Sequence, residues 1–110
     1  MEQADQSVEL RAFRGARRAS VYREHSLSGS AFGRILAVAA KRGPSLLSSL
    51  DVYGRHELDK AGAKRLAEEA TDVRMSGELP DLDGDLVAIV ELARWCAHAS
   101  EDSWLTVLRM

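Results

Sequence analysis

Apolar and polar residues alternate near the start of the chain, with Val8, Leu10 and Ala12 on one side and Glu9 and Arg11 on the other. A two-residue period of this kind predicts a strand buried on one face. Gly15-Ala16 offers a turn, and Ala19, Val21 and Arg23 against Ser20, Tyr22 and Glu24 resume the alternation. Together they predict a β-hairpin, although the turn lacks an Asn-Gly pair. The period then lengthens. Phe32, Ile35, Leu36 and Ala39 recur at helical spacing behind Ser28 or Ser30, either of which can cap a helix. Lys41 and Arg42 suit the negative end of its dipole, and Gly43-Pro44 stops it. Residues 45–58 have no clean period, yet Leu46, Leu47, Leu50, Val52 and Tyr53 are too apolar for a linker. They predict a packed connection with a short turn of helix.

Asp59 caps a second predicted helix that runs to about Met75 and turns Leu66, Ala67, Ala70 and Val73 inward. A third starts at Asp81 or Asp83 and carries a wide stripe of Leu82, Leu86, Ile89, Val90, Ala93, Cys96 and Ala97. Ser100 to Ser103 breaks it, and Trp104 to Leu108 forms a β-rich closing run. The expected fold is α+β in the order β-β-α-α-α-β: a small three-stranded antiparallel sheet with helices packed on one face. Residues 1–6 are expected to be a disordered tail and residues 7–110 a single α+β domain. Trp104, Thr106 and Leu108 point opposite to Leu105 and Val107, so one sheet face is expected to stay partly open as a dimer or partner surface.

Composition adds limits. With 110 residues, 45% of them apolar and 29% charged, the chain has the make-up of one ordinary globular domain. The lone Cys96 cannot pair within its own chain, and the polar stretch from Met1 to Ser7 has no apolar targeting core. A cytoplasmic location follows as the expectation, with no membrane contact, because the apolar tract Leu86 to Ala99 is interrupted by Glu91, Arg94 and His98. Net charge is −2 but unevenly placed. Residues 1–60 hold ten Lys and Arg against seven Asp and Glu; residues 61–110 hold five against ten. Between Arg11 and Arg42, eight basic residues face only Glu24. Such polarity points to an oriented partner or self-association.

The stretch from Ser45 to Ala70 carries a Leu-Leu pair (Leu46-Leu47), then Asp51-Val52-Tyr53-Gly54, then a capped helix with Leu66, Glu68 and Glu69. In this it resembles a family of small actinobacterial proteins without an established activity, over about half of the chain. The likeness implies architecture and no mechanism. Arg55-His56 stand where the family has Asp-Thr, Asp59 where it has Asn, and Leu108-Arg109-Met110 where it has an aromatic residue and Gly-Asp.

Candidate chemistry is thin. Asp81, Asp83 and Asp85 imitate the start of a calcium loop, but Leu86 and Leu92 occupy the places that need Gly and Glu. Capping and dipole complementation explain the three carboxylates better. Gly29 to Gly33 opens a helix without the Gly-Lys-Ser/Thr ending of a phosphate loop. Cys96 lies on an apolar stripe and reads as a buried structural thiol, and His25, His56 and His98 lack metal-ligand spacing. No catalytic residue, metal site or cofactor is expected.

The leading expectation is a small non-enzymatic protein-interaction module, an immunity protein or antitoxin that neutralises a partner, with self-association into a homodimer as one form of it. Its contact residues would be Tyr53, Arg55, His56 and Trp104, since aromatics and Arg anchor interfaces. One alternative is nucleic-acid binding through the basic tract 11–42, led by Arg11, Arg14, Arg17, Arg18 and Arg23. Another is a small enzyme whose site forms at a dimer interface around His56 or Asp51.

Overall fold

The computed structural model describes residues 7–14, 20–42, 46–50, 54–99 and 102–109. The expected tail 1–6, the turn at Gly15-Ala16, Gly43-Pro44, and Asp51 to Tyr53 lie outside the described residues. Strands β1 (Ser7–Arg14) and β2 (Ser20–Ser28) pair antiparallel, with a bulge between Ala12 and Phe13 that sets Arg23 opposite Ala12 and Val21 opposite Phe13. Helix α1 (Gly29–Ala40) follows without a linker: Ser28 ends β2 and also caps the helix, its Oγ accepting from the Ala31 N–H at 3.1 Å. A four-residue helix α2 (Leu46–Ser49), strand β3 (Gly54–Leu58), helix α3 (Lys60–Met75), a 3₁₀ turn (Pro80–Leu82), helix α4 (Asp83–His98) and strand β4 (Ser103–Arg109) complete the order.

The sheet is α+β as expected but has four strands, in the order β2-β1-β4-β3, all antiparallel. The three-stranded expectation missed β3, Gly-Arg-His-Glu-Leu. Its alternation is hidden because an edge strand needs only one neighbour, and only Leu58 of the five side chains is buried. A short edge carrying Arg55 and Glu57 also resists pairing with other chains. Gly54 enters β3 at φ 122°, a backbone state open to glycine and strained for other residues. As expected, the ends of the sequence meet: β1 and β4 are the central neighbours, with Leu10 opposite Val107 and Ala12 opposite Leu105.

One face of the sheet is closed by helices. Val8, Leu10, Ala12, Leu27, Leu58, Leu105 and Val107 are all buried on it. They meet Phe32, Ile35 and Leu36 of α1, Leu66, Ala70 and Val73 of α3, and Leu86, Ile89, Leu92 and Ala93 of α4 in one contiguous core. α4 lies nearest the strands, touching β1, β2 and β4, and α3 packs along α4. The short α2 is held from outside itself. Both carboxylate oxygens of Glu69 on α3 accept from α2, taking the Leu46 N–H at 2.9 Å and the Leu47 N–H at 2.8 Å. That cap lets Leu47 and Leu50 bury against the core from a segment too short to be helical alone.

α3 begins at the expected cap, Asp59, whose Oδ1 accepts from the Gly62 N–H at 2.8 Å. α4 starts at Asp83, one of the two expected positions, with Asp83 and Asp85 in its first turn. Its N-cap, however, is Leu82, with no side-chain hydrogen bond, so neither Asp81 nor Asp83 caps it. The three carboxylates also reach out to other elements. Asp81 binds Arg34 of α1 through two hydrogen bonds of 2.6 and 3.1 Å, Asp83 binds Arg74 of α3 at 2.7 Å, and Asp85 meets His25 Nε2 of β2 at 2.8 Å.

Candidate interaction surface

Strand alternation sends a second set of side chains away from the helices. On β1 these are Glu9, Arg11 and Phe13; on β4, Trp104, Thr106 and Leu108; on β3, Arg55 and Glu57; on β2, Glu24 and Ser26. Register stacks them in rows across the sheet. Phe13 lies beside Trp104, Arg11 between Glu24 and Thr106, and Leu108 between Glu9 and Arg55. No described helix covers this face, yet Phe13, Trp104 and Leu108 are half-buried, Phe13 and Trp104 side by side and Leu108 between the charged Glu9 and Arg55.

The charges of the face are arranged in local pairs. Arg11 donates to Glu9 at 2.6 Å and lies 3.2 Å from Glu24 Oε2, and Arg55 lies 3.4 Å from Glu57. Beneath them Thr106 is only 5% exposed, and its Oγ1 has no hydrogen-bond partner among the described residues. A shallow hollow of about 90 Å³, lined by Glu9, Arg11, Phe13, Arg55, Thr106 and Leu108, opens above it. Its walls mix the apolar Phe13 and Leu108 with charges that are paired, Arg11 with Glu9 and Arg55 with Glu57. Such a surface suits contact with another protein better than binding of a charged small molecule.

The four residues expected to make a contact patch do not gather at one point. Arg55 and Trp104 share the open face, but Arg55 pairs with Leu108, four residues along β4 from Trp104, a span of about 13 Å. His56 is on the opposite side of β3, the side of Leu58, and lies opposite Val107. Tyr53, like Asp51 of the dimer-site expectation, is outside the described residues. Phe13 and Glu9 complete the face and were not among the expected contacts. Their signal was present: Phe13 sits two residues beyond Arg11 on the polar side of the β1 alternation.

The basic tract is largely answered from within the chain. Arg17 and Arg18 lie outside the described residues. Arg11 is held by Glu9 and Glu24, and Arg14 and Arg23 are exposed but engaged in further contacts. Arg34, Lys41 and Arg42 pair with Asp81, Glu78 and Asp72, all from the acidic second half. The unequal halves of the sequence therefore complement each other across the fold, and α1 is laced to the α3–α4 connection. The hydrogen bond from Arg34 holds the Asp81 carboxyl below the usual carboxylate range.

Cys96 is fully buried. Burial pushes its thiol up, and Sγ lies 3.6 Å from Ser103 Oγ, which itself donates to the Cys96 carbonyl at 2.6 Å. A protonated, enclosed thiol of this kind packs as a small apolar group. Among the described residues no three His, Cys, Asp or Glu side chains gather in a way that could hold a metal ion, and no helix is long and apolar enough to cross a membrane. Set against family models, curated proteins and solved structures, the chain matches none of them.

Proposed function

We propose that the chain is a non-enzymatic, cytoplasmic protein-interaction module, of the kind an immunity protein or antitoxin represents, and that it binds its partner with the open sheet face. One observation carries the reading: Phe13 and Trp104, side by side, and Leu108, four residues along β4, are half-buried apolar side chains on a face that the described helices leave uncovered. Half-buried apolar side chains set among compensated charges have the mixed composition of a protein contact surface. Four strands about 4.8 Å apart, each some 25 Å long at most, give a face on the order of 500 Å² in projection. That is below the roughly 800 Å² per partner of a standard complex, so an adjoining edge strand would take part in any tight one.

The pairing of the basic tract with Asp72, Glu78 and Asp81 gives less support to nucleic-acid binding than to protein contact. The test is co-purification from the native host with wild type, Trp104→Arg and Leu108→Arg, together with light scattering of the purified chain. A stoichiometric partner, or a second copy, held by wild type and lost in both variants is expected. Retention of the same partner by both variants removes the open face from the reading. A strictly monomeric chain that recovers no partner removes the reading itself.

A further inference from the structure

Most cations of the surface are already engaged. Among the described side chains, Lys and Arg residues pair with acids, as in Arg34–Asp81, Arg42–Asp72, Arg65–Glu69 and Arg74–Asp83, or bond elsewhere, as Lys60 does to the Ala99 carbonyl. Lys64 and Arg94 are the exceptions among the described Lys and Arg side chains: neither has a hydrogen bond or an ion pair there. Both line the same groove.

That groove, about 370 Å³, runs between α3 and α4, where the end of α4 lies beside the beginning of α3. Lys64, Ala67 and Glu68 stand on one wall, and Arg94, Ala97 and His98 on the other. Spacings of three and four residues put each set in a single stripe along its helix. Ala67 and Ala97 are the small residues of the lining, while Lys64, Glu68, Arg94 and His98 are exposed. The single acid in the lining, Glu68, stands one turn from Lys64 on the same wall; it has no hydrogen bond or ion pair among the described residues and offsets only part of the positive charge. Low walls flanked by long cationic side chains make a seat for a third helix, which packs 8–10 Å from its neighbours when small residues lie at the crossing.

We propose that the α3–α4 groove docks an acidic helical segment of a partner protein. Its carboxylates meet Lys64, Arg94 and His98, and its small or aliphatic face rests on Ala67 and Ala97. The argument is charge complementarity: Lys64 and Arg94, the two described Lys and Arg side chains without a hydrogen bond or ion pair, line one groove and outnumber its single acid, Glu68. The seat is separate from the open sheet face and stands whether or not that face binds.

The experiment is an NMR titration of the full ¹⁵N-labelled chain with a synthetic helical peptide carrying Glu at every fourth position beside an Ala and Leu face. The same peptide with Gln for Glu, and inorganic phosphate, serve as comparisons. Shifts are expected in the amides of residues 64–71 and 94–98, weakening about tenfold or more in Lys64→Glu/Arg94→Glu, and strengthening severalfold in Glu68→Gln. Affinity for the Glu peptide should fall with added salt. All three positions are exposed, and unchanged circular dichroism confirms that the variants fold. Equal binding of the Gln peptide, shifts confined to other surfaces, or the same shifts from phosphate at equal concentration would each overturn the proposal. Retained binding in Leu108→Arg shows that the groove acts apart from the sheet face, and loss there overturns that separation.

Discussion

The two faces of the sheet are made by the same strands, residue by residue, and differ in almost every respect. On β4, Leu105 and Val107 are wholly enclosed beneath α3 and α4, while Trp104 and Leu108, their immediate neighbours, are half-buried on the other side. On β1, Val8, Leu10 and Ala12 face helices, and Glu9, Arg11 and Phe13 face outward. The helix side is a continuous apolar interior. The outer side sets a few half-buried apolar side chains among paired charges. The first has the organisation of a core and the second that of a contact surface, although a window of four residues contains both.

The contrast can be broken most forcefully on the helix side. Leu105→Ala should destabilise the fold by about 2–5 kcal/mol, because the enclosed site cannot collapse around the lost methyls. Leu108→Ala should cost less than about 1 kcal/mol. Urea denaturation of both variants reads the difference directly, and equal costs would mean that the two faces are equally enclosed. Next in size is Glu69→Ala, which strips two hydrogen bonds from α2 and the ion pair with Arg65. A loss of about 1–3 kcal/mol is expected, with faster amide exchange over residues 46–50. Asp59→Ala removes the cap of α3 and should cost about 1 kcal/mol, visible as a lower urea midpoint.

Thr106→Val carries the opposite sign. Its hydroxyl is buried without a partner among the described residues, so exchange for a methyl should be neutral or stabilising by up to about 1 kcal/mol. A clear loss of stability would show that the hydroxyl is satisfied in solution and that the outer face is wetter than its apolar side chains imply. The smallest effect is acid-dependent. Arg34 lowers the folded-state affinity of Asp81 for protons, so the pair contributes at neutral pH and fades as pH falls through the ordinary Asp value of about 3.9 and below. Wild type and Asp81→Asn should therefore differ slightly in urea midpoint at pH 7 and converge near pH 2.

Much of this architecture was legible because the apolar residues keep time. The stripes of α1, α3 and α4 and the alternation of β1 and β4 each bury residues that the period picks out, from Phe32 to Val107. β3 was not legible, since its pairing is recorded in backbone hydrogen bonds and only Leu58 reports burial. The role of Glu69 was hidden for a related reason: it caps a helix more than twenty residues earlier in the chain. Asp81, Asp83 and Asp85 show the limit most plainly. Local rules place Asp83 and Asp85 in the first turn of α4, where they stand, but do not show that each of the three also binds a different element. The open face was readable on β4, where Trp104 and Leu108 alternate with buried residues. Which of Arg55 and His56 joins it depends on the register of β3, a long-range property.

The central position of β1 and β4 also governs how the molecule must be assembled in time. Their ladder joins Val8 to Arg109, so the middle of the sheet closes by contacts of very long sequence separation. During synthesis the hairpin can form early, but β1 then presents a bare inner edge and a greasy flank until residues beyond 100 have left the ribosome. Closing so long a loop before its contacts reward it favours slower refolding than that of a helical bundle of the same size.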